Sequence, residues 1–197
     1  MVSLSEPLTI TLGYGKRPID ETVALLREHG IEFLVDVRSA PYSRYHPDYS
    51  RDALKAHVEA HGISYLYLGQ ELGGRPDDPT CYSADGRVDY QACAGRPAFR
   101  QGISRLSNAW TQGRRVALLC SESKPEHCHR SKLIAPALEA EGVAVMHVDE
   151  DGSLCTQRAV MVRLRDDAAQ RGQLSLFEDE APARALHSRR KYAPDGS

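Results

Sequence analysis

Short apolar runs alternate along this chain with segments whose apolar residues recur every three or four positions, the two periods of buried strands and amphipathic helices. Strands are predicted over residues 8–14, 33–37, 64–68, 115–120 and 143–148. Between them, Ile19, Val23, Leu25 and Leu26 mark a helix that stops at Gly30, and a weaker helical pattern over residues 51–60 stops at Gly62. Residues 99–112 and 128–141 read as helices, the second in spite of Pro136, and a last helix spans 156–171. Residues 70–96, rich in Gly, Pro and Asp, read as an irregular connection long enough to be functional or mobile. Strand and helix in regular alternation, joined by right-handed crossovers, predict a three-layer, Rossmann-like α/β domain. Its sheet has five mostly parallel strands, with helices on both faces. The domain spans residues 1–171, and residues 172–197 form a largely disordered tail.

The polar motifs fall where these strands end. Gly13, Tyr14, Gly15 and Arg17 follow the first strand, and Asp36 and Arg38 close the second, with Ser43 and Arg44 after them. Glu71, Gly73, Gly74 and Arg75 follow the third, Cys120 and Glu122 the fourth, and His147 ends the fifth. In an open α/β sheet the carboxyl ends of the strands form one rim, where ligands bind, so these residues are expected to share a cleft. The densest segment is 118–130, with two thiols, two imidazoles, two carboxylates and Arg130 between an apolar run and a helix. Ser123 and Glu126, with Pro125 between them, predict a helix start here, and a helix N-terminus favours an anion.

Composition narrows the partners. With 197 residues, 41% of them hydrophobic, the chain can bury one core. The formal net charge of −2 gives no bulk attraction to nucleic acid or membrane, so any anion site must be local. Five cysteines, an odd number, and the lack of a leader pattern or a span-length apolar run fit free thiols in a reducing cytoplasm.

The motifs around Gly13–Tyr14–Gly15, Asp36 to Arg44, Leu68 to Arg75, Leu119 to Glu122 with Cys128–His129–Arg130, and His147 before Asp151–Gly152 occur in order over residues 8 to about 165. In these the chain resembles the bacterial domain of unknown function family 488. The resemblance implies an α/β fold and no settled activity, so the chemistry rests on residue types.

Three chemistries are open. The first is an enzyme on a nucleotide or nucleic-acid substrate, cleaving a glycosidic or phosphate-linked bond. Arg17, Arg38, Arg44, Arg75 and Arg130 supply forked donors for phosphate, Gly73 and Gly74 permit close backbone approach, and Tyr14 and Tyr67 stack on a base. Glu71 and Glu122 then divide acid and base roles. The ordinary alternative is that these arginines and glutamates pair with each other to tie loops together. The second is cysteine chemistry at Cys120, against which stands Glu126 where phosphate-cradling thiolate loops carry Arg; the alternative thiol is Cys128, with His129 next to it, although a cysteine in a first helical turn is more often simply packed. The third is a metal held by Cys120, His127, Cys128 and His129. No metal or other cofactor is expected, because neighbouring residues of a helix point in different directions. Cys81, Cys93 and Cys155 show no ligand spacing.

In the tail, Gln173, Leu174, Ser175, Leu176 and Phe177 are similar to the pentapeptide by which bacterial replication and repair proteins dock on the sliding clamp. Leu176 and Phe177 would anchor it and Gln173 orient it, in a DNA repair or maintenance setting. A non-enzymatic nucleic-acid or clamp-binding adaptor is the rival class. Arg184, Arg189, Arg190 and Lys191 read as a solvated basic cluster.

Overall fold

The computed structural model describes residues 7–170 and 186–192. Its elements, in chain order, are β1 (Leu8–Gly13), α1 (Ile19–Glu28), β2 (Phe33–Asp36), α2 (Arg51–Glu59), β3 (Ser64–Tyr67) and α3 (Gly69–Leu72). There follow β4 (Arg87–Asp89), α4 (Tyr90–Ala94), α5 (Pro97–Thr111), β5 (Arg115–Cys120), α6 (Ala135–Ala140) and β6 (Val145–Val148). Last come β7 (Leu154–Thr156), α7 (Gln157–Gln170) and β8 (His187–Lys191).

The main sheet has six strands in the order β3-β2-β5-β1-β6-β7. Its first five are parallel, as the alternating pattern predicts, and β7 adds an antiparallel edge on β6. The pattern misses β7 because three residues are too few to show a period. β5 lies between β1 and β2 and is buried along its whole length, which is why Arg115–Cys120 is nearly all apolar. Its side chains alternate between two cores. Ala117 and Leu119 pack with Leu26 of α1 and Leu54 and Val58 of α2, while Val116 and Leu118 pack with Phe99 and Ile103 of α5 and Leu138 of α6. Helices thus cover both faces.

The chain leaves β1 through α1 toward β2 on one side, and leaves β5 through α6 toward β6 on the other. Loops departing from adjacent strands in opposite directions open a crevice at the carboxyl edge. The connection predicted to be irregular, residues 70–96, instead holds α4 and the short strand β4, which pairs antiparallel with β8. Within the stretch expected as a tail, residues 187–191 form a strand on the domain, with Ser188 Oγ accepting from the Val88 amide at 2.9 Å.

Candidate functional site

A cavity of about 630 Å³ opens at the carboxyl edge of β1, β2 and β5. Its floor is Cys120, Cys128 and His129, all more than nine-tenths buried. Cys120 ends β5. The chain then loops through a 3₁₀ turn at Pro125–His127 and comes back as Cys128. Cys128 is extended (φ −112°, ψ 150°), and helical backbone begins only at His129. Adjacent residues on a helix diverge, but an extended residue followed by a helical one need not. Cys128 and His129 therefore converge on Cys120, and the geometric objection to a shared site fails. Cys128 Sγ lies 3.1 Å from Cys120 Sγ, and His129 Nδ1 lies 3.6 Å from Cys128 Sγ and 3.8 Å from Cys120 Sγ. Residues Arg130–Ile134 continue as one wide π-helical turn, a feature that recurs at functional sites.

The imidazole is fixed from both sides. His129 Nε2 lies 3.2 Å from the Val37 carbonyl, to which it donates, so Nδ1 keeps its lone pair toward the thiols. A Cβ on Gly74 would come within 2.7 Å of the ring's Cγ and Nδ1, so only glycine lets the loop after α3 close over it. Gly13 is likewise required, because a Cβ there would fall 1.6 Å from the Glu122 carbonyl oxygen. The S–H that Cys128 donates to Cys120 holds the Cys120 thiol well below its ordinary pKa, against the effect of burial. Burial drives Cys128 the other way.

Above this floor the cavity is cationic. Lys16, Arg38, Arg75, Arg189 and Arg190 line it against a single carboxylate, Glu122. Arg38 is the most constrained. Its Nε and Nη2 fork onto Asp36 at 2.8 Å and 2.5 Å, and Tyr65 Oη donates to the same carboxylate at 2.8 Å. Burial alone would lower the Arg38 pKa, but the hydrogen bond and charge of Asp36 outweigh it, so the guanidinium stays charged. Its Nη1 is buried and has no hydrogen-bond partner among the described residues. Arg75 extends over the Tyr192 ring at 4.8 Å and is anchored through its amide on Ser39 Oγ.

Several predicted residues lie elsewhere. Glu71 faces α5, where it pairs with Arg105 at 3.4 Å, and does not line the cavity, so it forms no acid–base pair with Glu122. Arg130 is buried inside the 121–129 loop, donating to the Ser123 carbonyl at 2.6 Å. Ser123 Oγ donates to Glu150 at 2.7 Å and caps no helix, so the expected N-terminal anion site does not form there. Tyr14 stacks on Tyr49 with ring centroids 4.0 Å apart, and Tyr67 lies beneath Arg51 at 4.9 Å, which leaves neither ring lining the cavity. Arg17 reaches the carbonyls of Asp149 and Glu150, Ser43 bonds within its own loop, and Arg44 is exposed away from the cavity. Gly73 packs against Ser39. His147 is buried between Thr11 and Gln157, whereas His127 does line the cavity but gives its ring nitrogens to Asp167 and Arg189. Glu126 is buried and does not line the cavity, so it makes no direct contact with an anion bound there.

The clamp-like peptide, Gln173, Leu174, Leu176 and Phe177, lies outside the described residues. Among the described residues no helix is long and apolar enough to cross a membrane. Comparisons with curated proteins and with solved structures give no match. The family described as "Domain of unknown function DUF488" matches residues 18–138, more than half of the chain, and the chain belongs to it.

Proposed function

We propose that this protein is an enzyme acting on a phosphate-bearing substrate, a nucleotide or nucleic acid, whose anion is held by Arg38 and Arg75 while the reacting bond lies over Cys120, Cys128 and His129. The observation that carries the reading is Arg38, oriented by Asp36 and buried at the cavity with one unpartnered nitrogen. A buried guanidinium donor without an acceptor is costly, and a phosphate oxygen is the acceptor its geometry fits. Glu122 is then the carboxylate available for proton transfer. The test is equilibrium binding of a nucleoside triphosphate and of a single-stranded oligonucleotide. Arg38→Ala should weaken both by about 1–3 kcal/mol. Undiminished affinity in that variant, or no binding by the wild type, removes the reading.

One hydrogen bond favours a second reading, in which Cys120 is the nucleophile. The S–H that Cys128 donates across 3.1 Å stabilises a Cys120 thiolate. Rapid alkylation of Cys120 by iodoacetamide at neutral pH, slowed in Cys128→Ala, is the expected result. A DNA repair or maintenance setting rests on the clamp-like peptide alone.

A further inference from the structure

Three side chains at the cavity floor offer ligand atoms that all lie within 4.8 Å of one another: the thiols of Cys120 and Cys128 and Nδ1 of His129. Two thiolates and an imidazole are the donor set of a thiophilic cation with tetrahedral preference. The spacings bear on this directly. With Zn–S near 2.3 Å and Zn–N near 2.0–2.1 Å, the S···N edge of a tetrahedron is about 3.6 Å and the S···S edge about 3.8 Å. The observed Sγ···Nδ1 distances of 3.6 Å and 3.8 Å already match. The 3.1 Å between the sulfurs must open by about 0.7 Å, which a small χ1 rotation of either cysteine supplies.

The support behind these atoms also fits a metal. Ligating histidines usually give their second ring N–H to a carbonyl or carboxylate, which fixes the tautomer and aims the lone pair. His129 does so, donating from Nε2 to the Val37 carbonyl while Gly74 packs on the ring face. The three donors are buried on the protein side, and all three also line the cavity, which leaves a fourth position on the side where Glu122 and Arg38 lie. Three protein ligands with one open position distinguish a catalytic zinc site from a closed structural one.

We infer that Cys120, Cys128 and His129 bind one Zn²⁺ with its fourth position open to the cavity. This rests on the cavity being the reaction site. The ion would polarise a phosphoryl oxygen or lower the pKa of a bound water, with Glu122 placed to take the proton.

The full-length protein, reduced and stripped with a chelator, is titrated with Zn²⁺ and separately with Co²⁺. Expected are one ion per chain and, for Co²⁺, thiolate-to-metal absorbance in the near ultraviolet with the intense visible bands of a tetrahedral site. Cys120→Ser, Cys128→Ser and His129→Ala should each weaken Zn²⁺ binding about 100-fold or more, and His127→Ala should not. Failure of the reduced wild type to take up Zn²⁺ at micromolar concentration overturns the inference. So does Co²⁺ bound without thiolate absorbance, or undiminished affinity in Cys120→Ser. The Co²⁺ spectrum of the wild type decides the matter even if a variant misfolds. Nucleotide affinity, measured on the same metal-free sample, keeps the two claims apart. Arg38-dependent nucleotide binding without metal uptake overturns the metal centre alone, and metal uptake without nucleotide binding overturns the substrate reading alone.

Discussion

At the scale of single residues, buried polar groups decide what this fold tolerates. His147 sits between Thr11 Oγ1 and Gln157 Oε1, each 2.7 Å away, and Gln157 in turn donates to the Ser131 carbonyl at 2.8 Å. Burial, reinforced by the charge of Arg130 and partly offset by Gln157 and Asp149, lowers its pKa from 6.5 to about 4. The folded protein keeps this imidazole neutral where the unfolded chain would protonate it. The unfolded state therefore binds the extra proton, and the contribution of His147 to stability is complete above pH 6.5 and lost as pH falls from there toward 4. Its upper size is about 3 kcal/mol. Denaturant midpoints measured across that window should fall more steeply for the wild type than for His147→Gln, and parallel curves would exclude His147 as the cause. Cys120, Glu122, Arg38 and Arg75 are legible in the sequence as rim residues, because charge and thiols cluster after apolar strands, and Cys128 and His129 are legible only as members of the dense segment 118–130. Two things were not legible. One was that Cys128 precedes the helix and turns toward the residue beside it. The other was that Arg130 and Tyr14 spend their polar or aromatic faces inside the protein.

At the scale of elements, parallel strands and their crossover helices follow from hydrophobic period, because burial on both faces leaves a strong trace in the sequence. β8 leaves none. His187–Lys191 carries no apolar alternation and is held by backbone pairing to β4 and by Ser188, so its charges read as a solvated cluster. In the structure it supplies Arg189 and Arg190 to the cavity, and Tyr192 follows it as the ring beneath Arg75. If a nucleic-acid strand occupies the cavity, these two arginines neutralise phosphates. The logarithmic salt dependence of single-stranded oligonucleotide affinity should then fall by about 1.4 when both become alanine, near 0.7 for each phosphate no longer neutralised. Fluorescence anisotropy over a series of potassium chloride concentrations measures the slope. An unchanged slope would show that β8 only walls the cavity.

At the scale of the whole molecule, a chain of formal charge −2 gathers five cations around one cavity, so attraction to an anion is local, and under the proposed nucleic-acid reading delivery to DNA would come from elsewhere. Under that reading residues 173–177 would offer such a route; in the sequence they fall between α7 and β8. If residues 173–177 are a docking peptide, they bury little surface and must be ordered on binding, so an affinity for the sliding clamp on the micromolar scale is expected. Replacing Leu176 and Phe177 with alanine should abolish clamp binding in an isothermal titration and leave the melting temperature within about 1 °C of the wild type, because residues that dock on a partner add nothing to the core. A fall of several degrees would mean that the two side chains pack on the domain. Intact nucleotide binding in the same variant would show that the cavity and the docking peptide act independently, one carrying the chemistry and the other its location.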